Sequence, residues 1–187
     1  MKNAFIIHGF NGDTTNTFGP WLKQELEKRN YNVFMPHFPI RSEATFVGWE
    51  KVLNEYKSYI TQDSIIVAHS IGNPFIIKYL AKNNLKIKLY ISVAGFCDLF
   101  QVPDRPDLNN AFELFKVSNE EIEKVKLLTD KRYSLYSDND HVIPFDILKS
   151  FIHKLNSNEV FIPGVGHMGN RDNISSLPEI IEILDIQ

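Results

Sequence analysis

Residues 64–75 read SIIVAHSIGNPF, and the organisation of the whole chain is read outward from them. Ser64–Ala68 is a short, nearly all-apolar run, the pattern of a strand covered on both faces in the middle of a parallel sheet. Phe75, Ile76, Tyr79 and Leu80 then recur at helical steps. Pro74 suits a first helical turn, where its missing N–H forfeits no intrahelical bond. Ser70 therefore sits at a strand-to-helix junction, between Ala68 and Gly72, small residues that let strand and helix approach closely. A sharp turn of this kind, usually G-x-S-x-G, holds a serine hydroxyl out above a sheet. The alternative is an N-cap, a role serine fills commonly. A cap needs no partners elsewhere in the chain; a nucleophile needs a base to activate it.

Strand-like runs alternate with helical segments along the rest of the chain. Strands are expected at 4–7, 31–36, 64–68, 89–93, 132–136 and 159–162. Helices are expected at 20–28, 49–60, after Ser70, and around the apolar sets Leu148/Phe151/Ile152/Leu155 and Leu177/Ile180/Ile181/Leu184. Repeated strand–helix units predict an α/β fold: three layers, about six mostly parallel strands and right-handed crossovers. Residues 1–187 are read as a single domain. The 95–129 stretch, with VPDRPDLNN and an amphipathic 120–127, is read as a small excursion over the active-site edge, with minimal or no cap.

Ligands in such a sheet bind beyond the carboxyl ends of the strands. Four loops fall there: 8–13, 69–72, 137–141 and 164–170. In the third, SDNDHVIP offers Asp140, four residues before Pro144, as the group that orients a base, with Asp138 as its rival. In the fourth, GVGHMG presents His167 between glycines that permit a tight turn. His167 would accept the Ser70 proton on one nitrogen and donate the other to the carboxylate. In the first, HGFN supplies the Phe10 N–H, which with the Ile71 N–H could hold an oxyanion. His8 reads as a structural residue that bonds loop backbone. Turn-forming and capping roles account for each feature separately. Four features in the order Ser, Asp, His on one sheet edge favour the joint reading.

With these loops placed, the chain resembles the small α/β-hydrolase-fold serine hydrolases of the retinoblastoma-binding protein 9-like family. The resemblance rests on HGFNGD, MPHFP at 35–39, Trp49, AHSIG, DNDHVIP and GHMG, and runs through essentially the whole chain. It implies a Ser70–Asp140–His167 triad and hydrolysis through an acyl-enzyme; with little cap over the site, carboxylic esters are the expected substrates, with amides or thioesters as further options. Two departures stand out. His141 replaces the proline often found after the family's acid, and the L-x-C-x-E motif associated with retinoblastoma binding is absent around Cys97, so no such partner is carried over.

Composition narrows the alternatives. With 43% hydrophobic and 23% charged residues, the 187-residue chain is ordinary for a soluble globular protein. A net charge of −3 without a dense basic patch gives no sign of a nucleic-acid partner. No apolar run reaches the roughly 20 residues that span a bilayer, and MKNAFIIHGF lacks a signal peptide's apolar core. One cysteine allows no intrachain disulfide, and a cytoplasmic location is expected. No metal-ligand spacing, G-x-G-x-x-G or P-loop appears, so no cofactor or metal is expected; the expected partner is a small acyl substrate. The competing reading is a catalytically silent hydrolase-fold module that binds protein.

Overall fold

The computed structural model describes residues 2–12 and 14–186; Asp13, in the loop expected at 8–13, lies outside them. Among the described residues, six strands form one sheet: β1 (Lys2–Ile7), β2 (Tyr31–Phe34), β3 (Ile65–His69), β4 (Ile87–Val93), β5 (Thr129–Tyr136) and β6 (Asn158–Phe161). All pairings are parallel, in the order β2-β1-β3-β4-β5-β6. The helices are α1 (Gly19–Lys28), α2 (Phe46–Asn54), α3 (Gly72–Asn83), α4 (Pro106–Leu114), α5 (Asn119–Leu128), α6 (Phe145–Leu155) and α7 (Pro178–Asp185). None of them is long and apolar enough to cross a membrane.

The period of two along the central strands creates two cores. Phe5 and Ile7 of β1 and Ile66 and Ala68 of β3 pack with Trp49, Phe75, Val125 and Phe151, under α2, α3, α5 and α6. Ala4, Ile6, Ile65 and Val67 point the other way, to Leu22, Leu26, Ile180 and Ile183 of α1 and α7. The result is the expected three-layer architecture. Its strand order reverses between β1 and β3, so the loops leaving these neighbours diverge and open a crevice at their carboxyl ends. Ser70 lies there.

Several boundaries differ from the sequence reading. The helix expected at 49–60 is α2 followed by a separate 3-10 turn, Lys57–Tyr59. Tyr56 and Tyr59 leave the helical register to pack on Phe34, with ring centroids 5.6 and 4.8 Å away. Within 95–129, VPDRPDLNN is partly helical: α4 starts at Pro106, whose fixed φ suits a first-turn position. Phe112 of α4 joins Phe96 and Phe100 in an aromatic cluster, with centroids 4.7–5.4 Å apart. Helix α5 packs along α3 in the outer layer and leads directly into β5. A reciprocal capping box between Ser118 and Glu121 starts it.

Candidate active site

Ser70 follows β3 with φ +53, a left-handed conformation that costs a non-glycine residue about 1–3 kcal/mol. Its surroundings hold it there. The Ser70 N–H donates to Val93 O at 3.0 Å, and Ser70 O accepts from the Asn73 N–H at 2.9 Å. The Asn73 side chain donates to Ser70 O and Val93 O, and the Tyr90 hydroxyl donates to Asn73 Oδ1 at 2.7 Å. A buried polar network thus ties the turn to the end of β4. Burial pushes the Tyr90 pKa well up, so it stays a neutral donor. Tyr90→Phe leaves Asn73 Oδ1 without that donor, and a loss of about 1–3 kcal/mol is expected in a urea unfolding titration.

Gly72 allows the close approach. A Cβ there would lie 3.0 Å from His8 O and from a methyl carbon of Ile7, so α3 could not start so near β1. Ile71 is the N-cap of α3, and no side chain caps the helix. Ser70 Oγ is instead 3.0 Å from His167 Nε2.

The two later loops position His167. Residues 137–139 receive three successive amides from the loop after β6. The Gly164 N–H donates to Asp138 Oδ1 at 2.9 Å, Val165 N–H to Ser137 Oγ at 3.2 Å and Gly166 N–H to Asn139 Oδ1 at 2.7 Å. This zipper brings the imidazole to Asp140, where Nδ1 donates to Oδ2 at 2.8 Å. Asp140 Oδ1 accepts from the Val142 and Ile143 amides at 2.8 and 2.9 Å. Its side chain is only 2% exposed, whereas Asp138 is exposed and touches the loop backbone. Burial pushes the Asp140 carboxyl up, but its hydrogen bond to His167, the charge of that ring and the two amides outweigh this. The group is held below the usual carboxylate range.

The loop after β1 completes the site. A Cβ on Gly9 would come within 3.2 Å of Ser70 Cβ, so the backbone before Phe10 runs directly against the serine. The N–H groups of Phe10 and Ile71 have no acceptor among the described residues. Ile71 also stands at the positive end of α3. His8 bonds loop backbone as expected: Nε2 accepts from the Phe38 N–H at 3.1 Å and Nδ1 donates to Gly9 O at 2.8 Å. Trp49 stacks on Phe38 and donates from Nε1 to Pro39 O at 2.8 Å, which secures MPHFP beside the same loop.

One contact had no counterpart in the sequence reading. His69 is buried beneath the site, and its Nε2–H donates to His167 O at 2.9 Å. The residue before the serine therefore grips the backbone of the histidine loop. Burial, then the neighbouring His167, lower the His69 pKa to about 3, so the ring is neutral at ordinary pH. Adjacency to Ser70 was the available signal, but no pattern in the sequence links positions 69 and 167. Cys97 is buried too. Burial and then Asp98 raise its thiol pKa to about 12, so it stays a neutral thiol at ordinary pH. Among the described residues no group of three His, Cys, Asp or Glu side chains is placed to hold a metal ion.

Comparisons with known proteins match this architecture over its full length. YdeN of Bacillus subtilis is 25% identical over 185 residues, spanning 98% of this chain and 94% of YdeN. Its crystal structure superposes with a TM-score of 0.85 at 23% identity, covering 100% of this chain and 98% of that one. Est1E from Butyrivibrio proteoclasticus, solved with ferulic acid bound, gives a TM-score of 0.71 at 16% identity, covering 100% and 89%. Both superpositions identify the α/β-hydrolase-like fold. The model of the family described as serine hydrolase matches residues 4–186, and the chain belongs to that family.

Proposed function

We propose that this chain hydrolyses carboxylic esters by way of an acyl-enzyme on Ser70. The proposal places it with the retinoblastoma-binding protein 9-like group and treats residues 1–187 as one catalytic domain. One observation carries the reading: an unbroken Ser70–His167–Asp140 hydrogen-bond chain, with contacts of 3.0 and 2.8 Å, beside a strained turn whose serine caps nothing.

In this mechanism Ser70 Oγ attacks the carbonyl carbon of the ester and its proton passes to His167 Nε2. Asp140 accepts the Nδ1–H, fixes the tautomer that leaves Nε2 free to act as base, and stabilises the imidazolium. The carbonyl oxygen becomes an oxyanion held by the Phe10 and Ile71 N–H groups, aided by the positive end of α3. Collapse of the tetrahedral intermediate breaks the ester C–O bond, and the departing alkoxide takes the proton from His167. Water then repeats the sequence on the acyl-serine. It gives a proton to His167, the Oγ–acyl bond breaks, and Ser70 recovers the proton as the acid leaves.

The test is a fluorophosphonate probe, which needs an activated serine but no knowledge of the substrate. Ser70 Oγ forms a bond to phosphorus as fluoride departs. Labelling is expected for the folded protein and not for Ser70→Ala or heat-denatured protein. A folded wild-type protein that the probe leaves unlabelled would favour the silent, protein-binding module.

A further inference from the structure

His69 closes β3, and its buried ring reaches all three working parts of the site. It adjoins Ser70 in the chain. Its Nδ1 lies 3.1 Å from where a Cβ on Gly9 would stand, so the ring underlies the loop that carries the Phe10 N–H. Its Nε2–H donates to His167 O at 2.9 Å, across 98 positions of sequence. We propose that His69 is a positioning residue of the hydrolysis: its Nε2–H fixes where the His167 imidazole stands against Ser70 Oγ, and so governs the proton transfers of both half-reactions. This assignment rests on the esterase reading above and adds a fourth side chain to it.

The backbone around His167 gives this bond its weight. Gly166 has φ +64 and Met168 φ +55, so the chain turns sharply on both sides of the base, and His167 belongs to neither helix nor strand. Before it, the amides of residues 164–166 are held by residues 137–139; after it, the Gly169 N–H donates to Asp172 Oδ2 at 3.1 Å. Between these anchors the Met168 N–H closes a turn onto Val165 O at 3.3 Å. Among the described residues, His167 O accepts from His69 alone. Without that donor, nothing but the turn fixes the peptide unit that carries the base, and small displacements of a reacting group are costly in rate.

The same contact fixes the tautomer. A carbonyl oxygen only accepts, so the His69 proton is on Nε2. Nδ1 faces Gly9 and has no hydrogen-bond partner among the described residues, so a second proton would meet no acceptor there. The titratable groups around the ring are His167, Asp140 and His8, and burial followed by His167 dominates, keeping His69 neutral. Packing alone asks for less. Phe18 meets the ring edge-on with centroids 5.9 Å apart, a contact that a hydrocarbon ring would satisfy without the cost of burying two nitrogens. What the hydrocarbon would lack is the donor to the base.

The experiment compares His69→Phe, which keeps a ring against Phe18 and removes the N–H, with His69→Gln, whose terminal NH2 can replace the Nε2–H donor. Phenyl acetate hydrolysis and the rate of fluorophosphonate labelling are measured for each. His167 moves a proton in acylation and again in deacylation, so a displaced imidazole slows both steps together. In His69→Phe, kcat and the labelling rate are expected to fall about 10-fold or more while KM stays within about two-fold of wild type. His69→Gln should recover part of that loss. In the wild-type protein, a long-range nitrogen–proton NMR correlation should show His69 protonated on Nε2 and unchanged between about pH 5 and 9, a readout that depends on no variant folding. Wild-type kcat in His69→Phe, or His69→Gln no faster than His69→Phe, overturns the assignment, as does a His69 protonated on Nδ1 or titrating in that range. Labelling of the wild type separates the two levels: a labelled, active protein indifferent to His69→Phe refutes this inference alone, and one neither labelled nor active refutes the esterase reading beneath it.

Discussion

Replacing Ser70 with alanine lowers kcat for a short-chain ester by about 10³-fold or more and leaves the unfolding transition nearly where it was. The two halves of that expectation have separate causes. In the proposed mechanism alanine removes the attacking oxygen, so no acyl-enzyme would form and residual rate would come only from the oxyanion donors and substrate binding. The turn itself is held by main-chain bonds to Val93 O and from the Asn73 N–H, and by the Asn73 side chain, none of which involves Oγ. Alanine inherits the same left-handed strain and loses one hydrogen bond, that to His167. Initial rates and a thermal melt on the same preparation check both parts. A variant that keeps activity within a few-fold of wild type would remove Ser70 from the mechanism, whatever its geometry.

Exchanging the two candidate acids for their amides should separate them by a similar factor. Asp140 has one oxygen committed to two backbone amides and the other facing His167 Nδ1. In Asp140→Asn the carbonyl must stay with the amides, because an NH2 group there would meet two donors. The NH2 therefore faces Nδ1 and favours the tautomer protonated on Nε2, which cannot accept the Ser70 proton. A fall in kcat of about 10³–10⁴-fold is expected, the scale seen when a triad acid loses its charge in this way.

Asp138→Asn keeps a carbonyl that can accept from the Gly164 N–H, the contact the carboxylate makes now. Its kcat should stay within a few-fold of wild type. If Asp138→Asn proves the inactive variant and Asp140→Asn does not, the assignment of the acid is reversed. The pH dependence of stability gives an independent reading. The carboxyl of Asp140 is held below its ordinary range, so its contribution is complete above the unfolded-state pKa. That contribution disappears as pH falls through the lower folded-state value. Asp140→Asn should flatten the corresponding part of the stability–pH curve below about pH 4.

The alternation of apolar runs with helical periods made the layer architecture legible, because burial on one or both faces imposes its period directly on the sequence. Edges were less legible. Strand β5 begins at Thr129 rather than at 132, since Thr129, Asp130 and Lys131 are polar and no apolar pattern marks them, yet they lie beside Ile87–Leu89 of β4. Strand β4 begins two residues early for the same reason, with Lys88 interrupting its apolar run. The 3-10 break after α2 depends on Phe34, a residue of a distant strand to which Tyr56 and Tyr59 are drawn.

The site divides along the same line. Residue types and their local turns, at Ser70, in SDNDH and in GVGHMG, are fixed by short-range chemistry: small residues where backbones approach, glycines where chains reverse, carboxylates before a helix. Read alone, these patterns also serve capping and turn formation, and both Asp138 and Asp140 fit them. What only the tertiary structure decided is which groups meet. The 2.8 Å contact that reaches Asp140 and not Asp138, the bond from His69 to His167 O, and the Asn73–Tyr90 pair beneath the turn all join distant segments. Their geometry comes from the register of β3, β4, β5 and β6 and from amide pairing between two loops, and a linear pattern holds no record of either.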